Sequence, residues 1–127
     1  MKSGKGLEYE GLTDKIIGCA IEVHKKLGPG FLESIYENAF IIELQKQNLQ
    51  VERQREVVVK YDGIEIGRHR LDLVLDDTIV VELKAVRNIE DVHFAIVKSY
   101  LKAPGKEHGL IINFSKKVLE VKRVIHK

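Results

Sequence analysis

Three charged residues interrupt two apolar runs in the segment RHRLDLVLDDTIVVELKAV, residues 68–86 of a 127-residue chain. Asp72 stands in the first run, Glu82 and Lys84 in the second. The second run is rich in β-branched residues and reads as a central strand covered on both faces. A carboxylate and an ammonium there are costly to bury unless they pair, hydrogen-bond or hold a metal. Glu82 and Lys84 are two apart, so their side chains leave the same strand face. The position of Asp72 depends on the turn. A three-residue loop of Asp76, Asp77 and Thr78 pairs Leu75 with Ile79, Val74 with Val80, Leu73 with Val81 and Asp72 with Glu82. The two carboxylates then share a face with β-carbons about 5 Å apart. A two-residue loop sends Asp72 to the opposite face. Converging carboxylates raise each other's pKa. Mg²⁺ or Mn²⁺ relieves that conflict, because hard cations take oxygen ligands and keep several waters. Such an ion can orient a water, lower its pKa and neutralise charge on a phosphate. Lys84 would position that water or stabilise the charged transition state. The set suits phosphodiester hydrolysis, although on spacing alone an amphipathic strand with a Glu–Lys pair reads the same.

The remaining elements must hold these residues in place. Thr13 reads as an N-cap, with Asp14 in the first turn of a helix. Ile16, Ala20, Val23 and Leu27 form its stripe, widened by Ile17 and Ile21, and Gly28-Pro29-Gly30 ends it. Residues 1–10 read as a poorly ordered N-terminal segment. A second helix is expected over 31–47, with Leu32, Ile35, Ala39 and Ile42 buried and Tyr36, Phe40 and Leu44 flanking. Glu33, Tyr36 and Glu37 share a face at spacings of three and four. Taken alone, that face is equally a solvated polar edge.

Strands are expected over 51–61, 64–75 and 79–86. Asp62-Gly63 is a two-residue hairpin signal, and Gly67 marks a bend or bulge. Asn88 reads as the N-cap of a third helix, with Ile89, Val92, Ile96 and Tyr100 on its stripe and His93 and Val97 beside it. That helix stops before Pro104-Gly105. Strands over 108–114 and 118–125 follow. The order α-α-β-β-β-α-β-β, with a helical crossover before the fourth strand, predicts a mixed sheet with packed helices.

Composition excludes more than it assigns. The length suits a single domain, residues 1–127. A formal net charge of +2 is too small to argue nucleic-acid binding by itself. No apolar window is long enough for a membrane span. The N-terminus lacks a signal-peptide pattern. The single cysteine, Cys19, excludes an internal disulfide and fits a cytoplasmic setting, with a buried inert thiol as its default. None of the five histidines falls in a zinc-binding pattern. Gly28 and Gly30 lack the Lys-Ser/Thr of a phosphate-cradling loop. Lys116, Lys117, Lys122 and Arg123 form a basic patch that would touch phosphate, or equally a solvated, protected edge. His69 could edge the site, and His93 reads as a boundary residue of the third helix.

At this point the residues carry a resemblance. Gly30-Phe31-Leu32-Glu33-Ser34-Ile35-Tyr36 matches a G-x-x-E-x-x-Y signature. Around it stand GCAIEVHKKLGPGFLESIYENAF, the Asp-Gly hairpin, RLDLVLDDTIVVELKAV, and the SYLKA and GLIINF segments, in order over about residues 12–125. The chain resembles the GxxExxY protein family, grouped with the PD-(D/E)xK nuclease-like superfamily. The resemblance implies a restriction-endonuclease-like α/β fold: an α-β-β-β-α-β core, here with an extra N-terminal helix and a C-terminal strand. It implies that Asp72, Glu82 and Lys84 form the motif and that Glu33 completes the acidic site. The catalytic set is then Lys84, Glu33, Asp72 and Glu82, with Asp72, Glu82 and Glu33 as ligands for Mg²⁺ or Mn²⁺. Tyr36, Tyr100, His24, Lys122 and Arg123 are the candidates to touch substrate, although His24, in EVHKKLGPG, equally packs around Glu33. DNA or RNA is the implied partner, no membrane is expected, and a homo-oligomer is left open. There is one departure. Related nucleases often carry Q-x-x-x-Y on the helix after E-x-K; Tyr100 fits its Tyr, but Ile96 stands in place of the Gln. The rival reading is a nuclease-like module that binds nucleic acid or protein without catalysis, since fold does not fix function.

Overall fold

A computed structural model of the chain describes residues 4–102 and 108–125. Helices α1 (Gly4–Leu27) and α2 (Glu33–Lys46) precede strands β1 (Val51–Tyr61), β2 (Ile64–Leu75) and β3 (Ile79–Lys84). Helix α3 (Asp91–Lys102) then leads to β4 (His108–Asn113) and β5 (Glu120–Ile125). The expected element order and mixed α/β class hold. The Pro104-Gly105 stop and His126 lie outside the described residues.

The five strands form one sheet in the order β1-β2-β3-β4-β5. All neighbours are antiparallel except β3 and β4, which the α3 crossover makes parallel. Asp62 (φ 51°) and Gly63 (φ 77°) form the two-residue β1–β2 turn, where glycine supplies the positive φ without strain. Near Gly67 the register shifts: Val59 pairs with Gly67 but Lys60 with Glu65, leaving Ile66 as the extra residue of a bulge.

Two cores lie on the two sheet faces. Leu73, Leu75, Ile79, Val81, Leu83, Leu110 and Ile112 pack against α1 and α2 through Ile16, Val23, Tyr36, Phe40 and Leu44. Leu71, Val74, Val80, Ile111 and Val124 pack against Val97 and Leu101 of α3.

Three local expectations are corrected. Thr13 does not cap α1: the helix begins at Gly4, and Thr13 is buried within it. In α2 the buried row is Tyr36, Phe40 and Leu44, all 0% exposed, whereas Leu32, Ile35 and Ile42 face out. The bulkier row goes inward, because aromatic rings remove more apolar area from water than Ile does. In α3, Val97 and Leu101 are buried, while Val92 and Ile96 are exposed. The helix starts at Asp91, and the His93 ring, not Asn88, serves its start by accepting the Glu90 N–H through Nδ1 at 2.9 Å.

Candidate functional site

The site lies where the β2–β3 ladder stops. Register runs Leu75–Ile79, Val74–Val80 and Leu73–Val81, which is the register that the three-residue turn Asp76-Asp77-Thr78 requires. Asp76 (φ 49°) and Asp77 (φ 51°) take the left-handed conformations of that turn, which Asp tolerates better than most residues. The next step, Asp72 opposite Glu82, is not a backbone pair. Here side chains replace the ladder: the Asp72 N–H donates to Glu82 Oε1 at 3.0 Å, and the Leu83 N–H donates to Asp72 Oδ2 at 2.9 Å. Each carboxylate thus satisfies a backbone donor of the other strand.

The break has a second side. Leu71 and Leu73 are two apart yet pack into opposite cores, so strand alternation slips at Asp72. Across from Asp72 in β1, Gln54 has φ 54° and drops out of a register that is regular at Arg53–Leu73 and Arg55–Leu71. A non-glycine residue in that conformation is strained, and such strain concentrates at functional positions. Asp72 therefore turns toward a cleft of about 190 Å³ lined by Glu33, Ser34, Glu37, Gln54, Asp72 and Leu83. Starting α2 directly after the Gly28-Pro29-Gly30 turn brings Glu33 to the rim.

Electrostatics tie these groups together. Glu82 is 5% exposed. Burial first, then the Asp72 carboxylate, push its pKa up to about 8. Burial also raises Asp72, against hydrogen bonds from the Leu83 N–H and with Glu82. Burial of both carboxylates, with the Asp72 charge acting on Glu82, favours retention of a proton by the pair. Partial burial raises Glu33, with Asp72 and Glu37 adding to the rise and the Lys84 ammonium opposing it. Lys84 is half-buried and is the cation felt by Glu33, Asp72 and Glu82 alike. Tyr100 stands on the α3 side, its hydroxyl raised by burial and then by the charges of Glu82 and Asp72. His69 meets the Tyr100 ring edge-on, with centroids 4.5 Å apart.

Asp72, Glu82, Glu33, Lys84 and Tyr100 are therefore brought together. The other candidates are not. Tyr36 is fully buried: its hydroxyl donates to the Gly28 carbonyl at 2.6 Å, accepts the Phe31 N–H at 3.1 Å, and its ring stacks on Phe114 at 4.6 Å. It locks the turn that launches α2 and has no surface left for substrate. His24 is spent on the Lys116 carbonyl, 2.7 Å from Nε2. Lys122 and Arg123 are exposed on β5; Lys122 shares the Glu82–Ile111 row but lies two strands away, about 10 Å. Cys19 is buried, as expected.

Sequence reasoning missed residues that become visible only through long-range contacts. Glu37 faces the cleft and receives Arg53 at 3.0 Å and the Gln54 amide at 3.4 Å. Asn113, 0% exposed, accepts the Val86 and Ser115 N–H groups and donates to the Val86 carbonyl and to Glu120 Oε1. It pairs with Lys84 in the sheet and fixes the chain leaving β3. A buried polar residue inside the apolar run GLIINF was the available signal for it.

The donor set suits a hard divalent cation. Its atoms are carboxylate oxygens whose proton affinity burial has raised, with the Asp72 charge adding to the rise at Glu82, a cost that a bound cation offsets. Among the described residues no three His, Cys, Asp or Glu groups converge on one point. Asp72 and Glu82 would hold the ion with water completing its shell, and Glu33 lines the same cleft as Asp72.

A family model described as the PD-(D/E)XK nuclease superfamily matches residues 10–124. Searches of curated proteins and of solved structures returned no match. Among the described residues no helix is long and apolar enough to cross a membrane.

Proposed function

The chain belongs to the PD-(D/E)XK nuclease superfamily, and from that premise we propose that it is a divalent-metal-dependent nuclease hydrolysing phosphodiester bonds in DNA or RNA. The observation that carries the reading is the carboxylate pair that replaces the β2–β3 ladder. A strand pair needs no buried acids to satisfy two N–H groups, because backbone carbonyls do that without a raised pKa. Nucleases of this superfamily generally use divalent ions, here Mg²⁺ or Mn²⁺. Bound at Asp72 and Glu82, such an ion would neutralise charge on the phosphate and lower the pKa of a bound water.

The chain's own groups supply the rest. Lys84 holds a positive charge among three carboxylates, where it hydrogen-bonds the attacking water and stabilises charge developing on the phosphate. Glu33, its carboxyl raised in pKa, accepts a hydrogen bond from that water or receives its proton. Tyr100 offers a hydroxyl donor on the α3 side. Asn113 keeps the end of β3 in place. The finer GxxExxY assignment and a cytoplasmic location belong to the same proposal.

The test is cleavage of single- and double-stranded DNA and RNA with Mg²⁺, Mn²⁺ or neither. Metal-dependent cleavage that Asp72→Asn and Lys84→Ala abolish is expected. Wild-type protein that cleaves none of these substrates, and whose melting temperature no metal raises, would refute the catalytic reading. A second reading, a non-catalytic binding module, is favoured by one observation. Exposed Ile96 sits one turn before Tyr100, at the position where related nucleases often carry a Gln.

A further inference from the structure

The hairpin of β1 and β2 is longer than the sheet that supports it. Within β2, β3 pairs only with Leu73, Val74 and Leu75, so, among the described residues, 64–71 of β2 have β1 on one side and no strand on the other. This ribbon runs out directly from Asp72. Its two faces are distinct. Leu71 and His69 face α3, as their contacts with Val97's cluster and with Tyr100 require. Arg70 then faces the opposite side with Asp72, about 6.6 Å away at two residues of strand.

The cations around this cleft are mostly spent. Arg53 is bound to Glu37 and Asn38. Arg68 is bound to Glu65 at 3.0 Å and to Glu56 at 3.7 Å. Lys84 lies among Glu33, Asp72 and Glu82. The Arg70 side chain is exposed and, among the described residues, makes no ion pair or hydrogen bond; Glu56, its partner across β1, is engaged by Arg68 at 3.7 Å. The cleft itself carries Glu33, Glu37 and Asp72, which repel a polyanion. A nucleic-acid strand entering there needs a free cation beside the acids, and the step from Asp72 to Arg70 is comparable to that between neighbouring phosphates along one strand.

Resting on the nuclease reading, we propose that the ribbon is the substrate-backbone interface and that Arg70 binds the phosphate adjoining the scissile one. The guanidinium fork would take two phosphate oxygens at once. Such a contact supplies affinity and register without sequence choice.

The test is fluorescence-anisotropy binding of labelled single- and double-stranded oligonucleotides by the whole chain, with Ca²⁺ present, over a range of salt. Arg70→Gln should weaken binding about tenfold at about 0.15 M salt. It should also lower the salt slope by about 0.9 for duplex or about 0.7 for single strand, the signature of one lost phosphate contact. Arg70→Lys should keep the slope, and Arg68→Gln should have the smaller effect. An unchanged Mn²⁺-induced rise in melting temperature for Arg70→Gln shows that the carboxylate site is intact. Wild-type affinity and slope in Arg70→Gln would overturn the inference, as would weaker binding with an unchanged slope. Wild-type protein that cleaves but shows no effect of Arg70 overturns this inference alone. Wild-type protein that neither binds nor cleaves overturns the nuclease reading and this inference with it.

Discussion

Raising the pH from about 6.5 to about 8.5 is expected to tighten Mn²⁺ binding about 25-fold. The figure follows from Glu82, whose pKa is pushed up to about 8 by burial and by Asp72. A cation at the pair must displace the shared proton. The apparent dissociation constant is then multiplied by one plus the ratio of protonated to ionised pair, about 33 at pH 6.5 and about 1.3 at pH 8.5. Calorimetry in buffers of different ionisation enthalpy reads the same event directly, with close to one proton released per ion at the lower pH. Glu82→Gln should abolish both binding and proton release. Stability supplies an independent check of sign. The folded pKa of Glu82 lies above the ordinary carboxylate value of 4.5, so between about 4.5 and about 8 the folded chain holds more protons than the unfolded one. Metal-free stability should therefore be greatest at the acid end of that window and fall as pH rises through it, by at most about 1.4 kcal/mol per unit from this group. Glu82→Gln should flatten that decline, and saturating Mn²⁺ should offset it in wild type. A dissociation constant independent of pH across this range, with no buffer-dependent heat, refutes the reasoning, because Asp72 and Glu82 would then not share a proton.

Other outcomes follow from individual residues. Tyr36→Phe keeps the ring stacked on Phe114 but leaves the Gly28 carbonyl and Phe31 N–H without their partner; chemical denaturation should show a loss of about 1–2 kcal/mol. Gln54→Gly should be more stable than Gln54→Ala by about 0.5–1 kcal/mol, because only glycine accepts φ 54° without strain; equal stabilities would mean that the β1 distortion is absent in solution. Ile96→Gln places an amide one turn from Tyr100 at an exposed position; stability should change by no more than about 0.5 kcal/mol, while cleavage or oligonucleotide binding should rise.

The geometry of the carboxylate pair was legible because it depends on counting. Three polar turn residues between two apolar runs set the register from Leu75–Ile79 to Leu73–Val81, which points Asp72 and Glu82 at each other although the ladder stops one step short. The Asp62-Gly63 hairpin was legible for the same reason. The helix faces were not. In α2 the rows Leu32, Ile35, Ile42 and Tyr36, Phe40, Leu44 have the same period, so spacing cannot rank them. Ring volume and the bond from Tyr36 to a turn eight residues back decide it. In α3, Val97 and Leu101 are buried and Val92 and Ile96 exposed, a choice between aliphatic rows of similar size that spacing does not make. Gln54 was beyond a sequence reading, since its role depends on a register break across β2, whereas Asn113 left only the signal of a polar residue in an apolar run. The slip at Asp72 was also hidden, because it breaks the alternation from which the register was inferred.

The crossed hydrogen bonds at Asp72 and Glu82 have an evolutionary consequence. The bonds that join β2 to β3 are accepted by side-chain oxygens, and an amide keeps one such oxygen. Asp72→Asn and Glu82→Gln would each preserve the strand junction while removing the acid. Each replacement is also reached by a single base change in its codon. A descendant of this chain could therefore drift from enzyme to inert binding scaffold with no unfolded intermediate on the way. Retention of both acids would then record continued selection for their charge and not for the fold they help to close.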